Sequence, residues 1–320
     1  MKGTKPGRIG RCHAEYLYLF ARETQDVMKW KKDWGLTSRV ILTWALLLLV
    51  YLIFLAVLNT LLPGMFGALL AFVFIFAFIQ YFFSAKLVLM STRARVVSAD
   101  EYPQLHAMIG KLAAEADLPM PKIAIMQSPV PNAFATGRNP KNAVVAVTDS
   151  IMRTLDDDEL EAVLAHELSH VKNRDILTMT VASFVAMLAS IIMQNALFAS
   201  LFSGRENNGA WIVAWAVSII VWIVATVLMM SLSRYREFAA DRGSAYITSN
   251  PGALKSALIK ISGRMDRVPA EEKQKVEGAN MFYIIPALSG KSLTELFSTH
   301  PPLEKRIAAL EAIEAEMRRA

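Results

Sequence analysis

From Val40 to Ala85 the chain carries no charged residue, a run of 46 positions. One helical crossing of a bilayer needs about 20 apolar residues, so this length predicts two spans and a tight turn. Pro63-Gly64 lies close to the middle of the run, where proline stops a helix and glycine supplies a turn. The expected spans are 40–62 and 65–85. A cleaved signal peptide fits poorly, because the first run starts late, is too long, and is followed at once by another.

A second pair of uncharged runs covers Ile176–Gly204 and Asn207–Ser233, separated by Arg205 and Glu206. A long buried hairpin in a soluble core is the competing reading. Runs of this length, rich in Ile, Val, Met and Trp, favour membrane insertion. Gln194 and Asn195 weaken the third span and need partners inside a bundle, or a stretch that does not face lipid.

Basic residues set the expected orientation. Residues 1–39 hold nine Lys and Arg against four acids, which accounts for most of the net charge of +6. The turn between the first two spans has none, and the second link has only Arg205. Positively charged flanks stay on the cytoplasmic side, so both termini and residues 86–175 are expected there. A basic tail could hold nucleic acid, but this one abuts a hydrophobic run and reads as an anchor, with no nucleic-acid partner. Cys12 is the single cysteine, which excludes a disulfide scaffold or cysteine-rich metal site and leaves an idle, reduced thiol. The expected order is a basic tail (1–39), a transmembrane hairpin (40–85), a first catalytic segment (86–175), a second hairpin (176–233) and a second catalytic segment (234–320). The fold class is an α-helical integral membrane protein with four transmembrane helices and a mainly helical α+β cytoplasmic domain.

Within the polar segments, Glu101–Ala116 has the apolar spacing of a helix, with Leu105, Met108, Ile109 and Leu112 on one face. Lys122–Gln127 and Ala143–Val147 read as short strands. The connection between them reads as a hairpin, or as an edge strand followed by a turn. Arg264–Asn280 reads as a loop.

Asp156-Asp157-Asp158-Glu159 opens a further helix, with Asp156 as cap and Glu159 at the third helical position. On that helix stands His166-Glu167-Leu168-Ser169-His170. Residues four apart share a helical face, so both imidazoles can point at one ion. Glu167 projects about 100° away and can reach a water at the metal without binding it. This is the H-E-x-x-H arrangement of zinc peptidases. The longer H-E-x-x-H-x-x-G-x-x-H pattern is absent, since Asn173 stands where its glycine would fall. A carboxylate is then the natural third ligand, because a catalytic zinc takes three protein ligands and keeps one position open. Glu237 is the best placed, and Asp241, one turn on, can bond the far nitrogen of a ligand histidine. Two spans between His170 and Glu237 return the chain to the side it left, next to the histidine helix and against the membrane.

The segments NAFATGRNPKNAVVAVT (132–148), AHELSH (165–170), SRYREFAAD (233–241) and LFSTHPPLEKRI (296–307), with four apolar runs in 2 + 2 order, resemble the HtpX family. These are bacterial membrane-bound zinc metallopeptidases related to the CAAX prenyl proteases. The resemblance covers about residues 40–320 and says nothing of the longer tail. It implies a zincin-like (gluzincin) catalytic domain holding one Zn2+ per chain through His166, His170 and Glu237. Glu167 would be the general base and Asp241 would steady a ligand. His300 would steady the oxyanion, with Arg306 as electrostatic support, although a plain helix start at Pro301 explains both equally well. Asn132, Ala133 and Phe134 would form the edge that pairs with an extended substrate. The implied activity is hydrolysis of misfolded or damaged membrane proteins in quality control and stress response. The implied location is the bacterial inner membrane, facing the cytoplasm, with polypeptide substrates and lipid as partners and a homo-oligomer left open. A protease of narrower task and a non-enzymatic four-span protein with a structural metal are the alternatives. The second should show a fourth protein ligand or ionisable residues within its spans.

Overall fold

The structure, a computed structural model, describes residues 33–61, 64, 66–202, 208–269, 271 and 300–319. The basic tail up to residue 32, the Arg205-Glu206 link, most of Arg264–Asn280 and residues 296–299 of the 296–307 segment lie outside the described residues. Four helices are long and apolar enough to cross a membrane: α1 (Trp34–Leu61), α2 (Phe66–Ser91), α6 (Asp175–Phe202) and α7 (Asn208–Thr248). Their outward faces carry large apolar side chains such as Leu48, Leu49, Phe74, Ile75, Phe78 and Ile220. Exposed apolar surface on this scale marks contact with lipid. Inward, Phe54 and Leu58 of α1, Leu188 and Ile192 of α6 and Ala214 of α7 share one core. Gln194 and Asn195 face outward and are satisfied by their own helix, Gln194 donating to Ser190 Oγ and Asn195 to the Ile191 carbonyl.

The polar segments build a four-stranded sheet packed by helices. Its strands are β1 (Arg95–Val96), β2 (Lys122–Met126), β3 (Ala133–Thr136) and β4 (Val144–Thr148), in the order β1-β2-β4-β3. β2 runs parallel to β4 with Ala124 opposite Ala146, and β3 runs antiparallel to it with Ala135 opposite Val145. The segment between the two sequence-read strands is therefore an edge strand with a turn after it. That turn is a short 3-10 helix, Pro140–Asn142, capped by the Asn139 side chain.

All five residues of β4 are buried because both faces of the sheet are covered. Ile123, Ile125, Val145 and Val147 face a core shared with α3 (Pro103–Glu115), α5 (Asp157–Lys172) and α8 (Pro251–Met265). A short helix, α4 (Asp149–Thr154), leads into α5. Ala124, Met126, Phe134, Val144 and Ala146 face the other way, against Val88 and Leu89 of α2. The α3 stripe is as expected: Leu105, Ile109 and Leu112 are buried and Met108 packs at the margin.

α5 begins with a complete capping box, Asp156 accepting from the Glu159 amide and Glu159 from the Asp156 amide. Buried Glu159 also accepts from Ser256 Oγ and Lys260 Nζ, tying the start of α5 to α8. The last helix, α9 (Leu303–Met317), packs on α8 and on the polar end of α7.

Candidate active site

Three elements bring the site together. α5 is buried along most of its length, so His166 and Glu167 sit inside the protein and His170 is half-buried. α7 does not stop where its apolar run ends at Ser233. It continues unbroken to Thr248, about 60 Å in all at 1.5 Å per residue, and its polar end carries Glu237 and Asp241. Small side chains let α7 approach α5 closely: Ala240, Ser244 and Ala245 are buried, and Ser244 Oγ donates to the Ala162 carbonyl at 2.6 Å. α9 contributes Arg306, and His300 lies just before it.

The two histidines and Glu237 converge. His166 Nε2 and His170 Nε2 are 3.2 Å apart, and Glu237 offers Oε2 at 3.7 Å from the first and Oε1 at 3.5 Å from the second. Among the described residues this is the trio of His, Cys and acidic groups with donor atoms within 4.8 Å of one another. Ligands about 2.0–2.2 Å from a tetrahedral zinc lie about 3.4 Å from each other, and the two imidazole nitrogens and the Glu237 carboxylate are spaced close to that. Charge agrees with the geometry. Asp175 pairs with Arg236, and Glu237 and Asp241 with Arg306, so buried carboxylates outnumber the guanidiniums beside them and the cluster favours a cation.

Each ligand is held from behind. His166 Nδ1 lies 3.0 Å from Asp241 Oδ1. Asp241 in turn takes a bidentate pair from Arg306, Nε to Oδ2 at 2.9 Å and NH2 to Oδ1 at 2.5 Å. Arg306 is itself buried, and its Coulomb attraction to Asp241 and Glu237 outweighs desolvation, so its pKa rises further. Burial alone would lower the His166 pKa, but hydrogen bonding to Asp241 and Glu237 raises it to about 9 without metal. Burial raises the Glu167 pKa, opposed in part by the two histidines. A base with a raised pKa is better matched to taking and returning protons near neutral pH.

The sequence reading missed two residues. Asp175 Oδ2 pairs with His170 Nδ1 at 2.6 Å, and Asp175 Oδ1 with Arg236 Nε at 2.9 Å. Asp175 opens α6 and comes back beside His170 because Arg174 adopts a left-handed φ of 55° between the two helices. The signal in the sequence was an acid five residues after the second histidine, which looked only like the flank of a span.

The remaining expected residues are placed as follows. His300 Nδ1 lies 3.0 Å from Glu237 Oε2, beside the donor trio. Arg306 acts on Asp241 and Glu237. Asn132 is buried and its backbone is used inside the sheet, its amide donating to Thr148 Oγ1 and its carbonyl accepting from the Thr148 amide. Ala133 is buried, and Phe134 packs toward α2. Ala135 is the residue of the edge that meets the site: its amide donates to Glu167 Oε2 at 2.9 Å, pointing away from β4.

A helix-borne imidazole pair, a carboxylate from a second helix and a glutamate at a strand edge, all joined to four apolar helices, define a membrane-associated metallopeptidase. Residues 99–314 match peptidase family M48, and the chain belongs to that family. It is 55% identical over 292 residues to Protease HtpX homolog 2 of Methanosarcina acetivorans, spanning 90% of this chain and 99% of that protein. It is 52% identical over 290 residues to Protease HtpX homolog of Moorella thermoacetica, spanning 89% and 96%. The crystal structure of S. mikatae Ste24p shares the fold, with a TM-score of 0.53 at 20% identity over 85% of this chain. The chain spans 64% of the length of that protein.

Proposed function

We infer that the chain is a zinc-dependent endopeptidase that hydrolyses unfolded or damaged membrane proteins at the cytoplasmic face of the plasma membrane. The donor triangle of His166, His170 and Glu237, with Glu167 between it and the outer strand of the sheet, carries this reading. In this reading residues 86–175 and 234–320 form one zincin-like catalytic domain, joined across the second apolar hairpin. Zinc in the triangle supplies Lewis acidity and lowers the pKa of water, and a related divalent ion of similar ligand taste could replace it.

The chain's own residues do the rest. A substrate strand pairs with the outward edge of β3, which holds its backbone extended across the site. Glu167 Oε takes a proton from the attacking water and delivers one to the leaving amine. His300, 3.0 Å from the Glu237 carboxylate, would donate to the developing oxyanion. Arg306 and Asp241 keep His166 in one orientation while this happens.

Proteolysis of an unfolded casein-like substrate by the detergent-purified chain, with zinc or with a chelator, tests the reading. Cleavage is expected from the zinc-loaded wild type and not from Glu167→Gln. Equal cleavage by both proteins would reject Glu167 as the base.

A further inference from the structure

The second apolar helix is tied to the edge strand at a point that bears on substrate choice. Tyr81 Oη donates a 2.7 Å hydrogen bond to the carbonyl of Arg138, and the Arg138 guanidinium lies 5.1 Å from the centre of the Phe82 ring. Tyr81 and Phe82 come just before Ala85, the last residue of the uncharged run. Tyrosine near the end of a span sits at the headgroup level, and an arginine beside aromatic rings belongs to the same layer. The seating is broader than one bond. Val88 and Leu89, further along α2, pack against Ala124, Met126, Phe134, Val144 and Ala146 of the sheet. The sheet therefore rests on α2 where the helix leaves the apolar run, and the end of β3 beyond Thr136 reaches the bilayer surface.

Chain length bounds how far the catalytic carboxylate lies from that surface. Ala135 through Arg138 is four residues, which extended span at most ~14 Å. The hydrogen bonds at either end, 2.9 Å from Ala135 to Glu167 and 2.7 Å from Tyr81 to Arg138, bring the path to at most ~20 Å. Gly137, with φ +127°, bends this stretch and shortens it. A peptide lying along β3 rises ~3.3 Å per residue and covers the same distance in about six residues.

The geometry points to a defined substrate class: extended juxtamembrane segments, cut within about six residues of where the substrate chain leaves the bilayer. This rests on the edge-strand reading given under Proposed function. Selection is then by distance from the membrane and by extended conformation. Pairing with β3 uses backbone groups, so the strand edge itself demands no particular side chain. A folded domain close to its anchor cannot present such a strand, whereas an unfolded one can.

The test uses the full chain in liposomes with a single-span substrate whose unfolded tail repeats one short sequence. Products are mapped by mass spectrometry. Cuts are expected to cluster next to the span. Inserting a polar spacer of about ten residues between span and tail should leave the cuts at the same distance from the span, now inside the spacer. Cuts that move outward with their sequence, or that spread evenly along the tail, would overturn the proposal and leave the peptidase reading intact. The same tail as a free peptide is expected to be cut without positional preference. If neither substrate is cut, the peptidase reading and this proposal fall together.

Discussion

The amide of Ala135 donates to Glu167, whereas Asp175, Glu237 and Asp241 each pair with a histidine or an arginine. Glu167→Gln keeps an acceptor for that amide but cannot take a proton. It should retain full metal content and lose about 10²–10⁴-fold in kcat, read by metal analysis alongside peptide hydrolysis. Asp175→Asn should leave the metal donors in place and loosen His170. Removing such a supporting carboxylate costs about 10–100-fold in metal affinity, measurable by chelator competition. Unchanged affinity would mean that His170 is oriented by other contacts. His166, raised to about 9 without metal, is protonated at neutral pH and must release that proton to bind. Apparent metal affinity should therefore climb with pH up to about 9 in a titration of the metal-free chain, and a flat profile would contradict the Asp241 and Glu237 contacts. At this scale His166, Glu167 and His170 were legible because one helix carries them all. Asp175 was not, because its return depends on a left-handed Arg174, a conformation that arginine does not advertise.

Among the elements, the edge strand depends on the turn that follows it. Gly137 has φ +127°, and a Cβ there would lie 2.3 Å from the Asn142 carbonyl oxygen. Gly137→Ala should cost about 1–3 kcal/mol in backbone strain alone, with the clash added, lowering the thermal midpoint and the peptidase rate together. A midpoint equal to wild type would show that the turn can reshape freely. The capped start of α5 and its apolar stripe were readable from sequence, since Asp156, Glu159 and the Leu160-to-Val171 spacing all agree. The length of α7 was not. The charge-free run ends at Ser233, but nothing there breaks a helix, so α7 runs on and delivers Glu237 as part of a rigid rod. The edge strand was readable only as one of two options, because alternation cannot say which neighbour a strand pairs with.

Across the whole molecule, the C-terminal helix closes the site that the membrane helices begin. Arg306 on α9 reaches Asp241 on α7 across 65 residues of chain, and both are buried. Arg306→Ala would leave Asp241 charged and uncompensated, a loss of about 3–5 kcal/mol, seen as a lower denaturation midpoint. Arg306→Lys should rescue little, because one ammonium cannot replace a bidentate fork. The four apolar runs and their 2 + 2 order were plain from charge-free length, whereas this ion pair was invisible until the chain was folded.

X-ray absorption at the zinc edge of the zinc-loaded full chain tests the central claim most directly. The site as built predicts one zinc per chain, with two imidazole nitrogens and a carboxylate oxygen at about 2.0–2.2 Å and a further light atom from solvent. Substoichiometric zinc, sulfur in the shell, or four protein ligands closing it would contradict a catalytic site made by His166, His170 and Glu237.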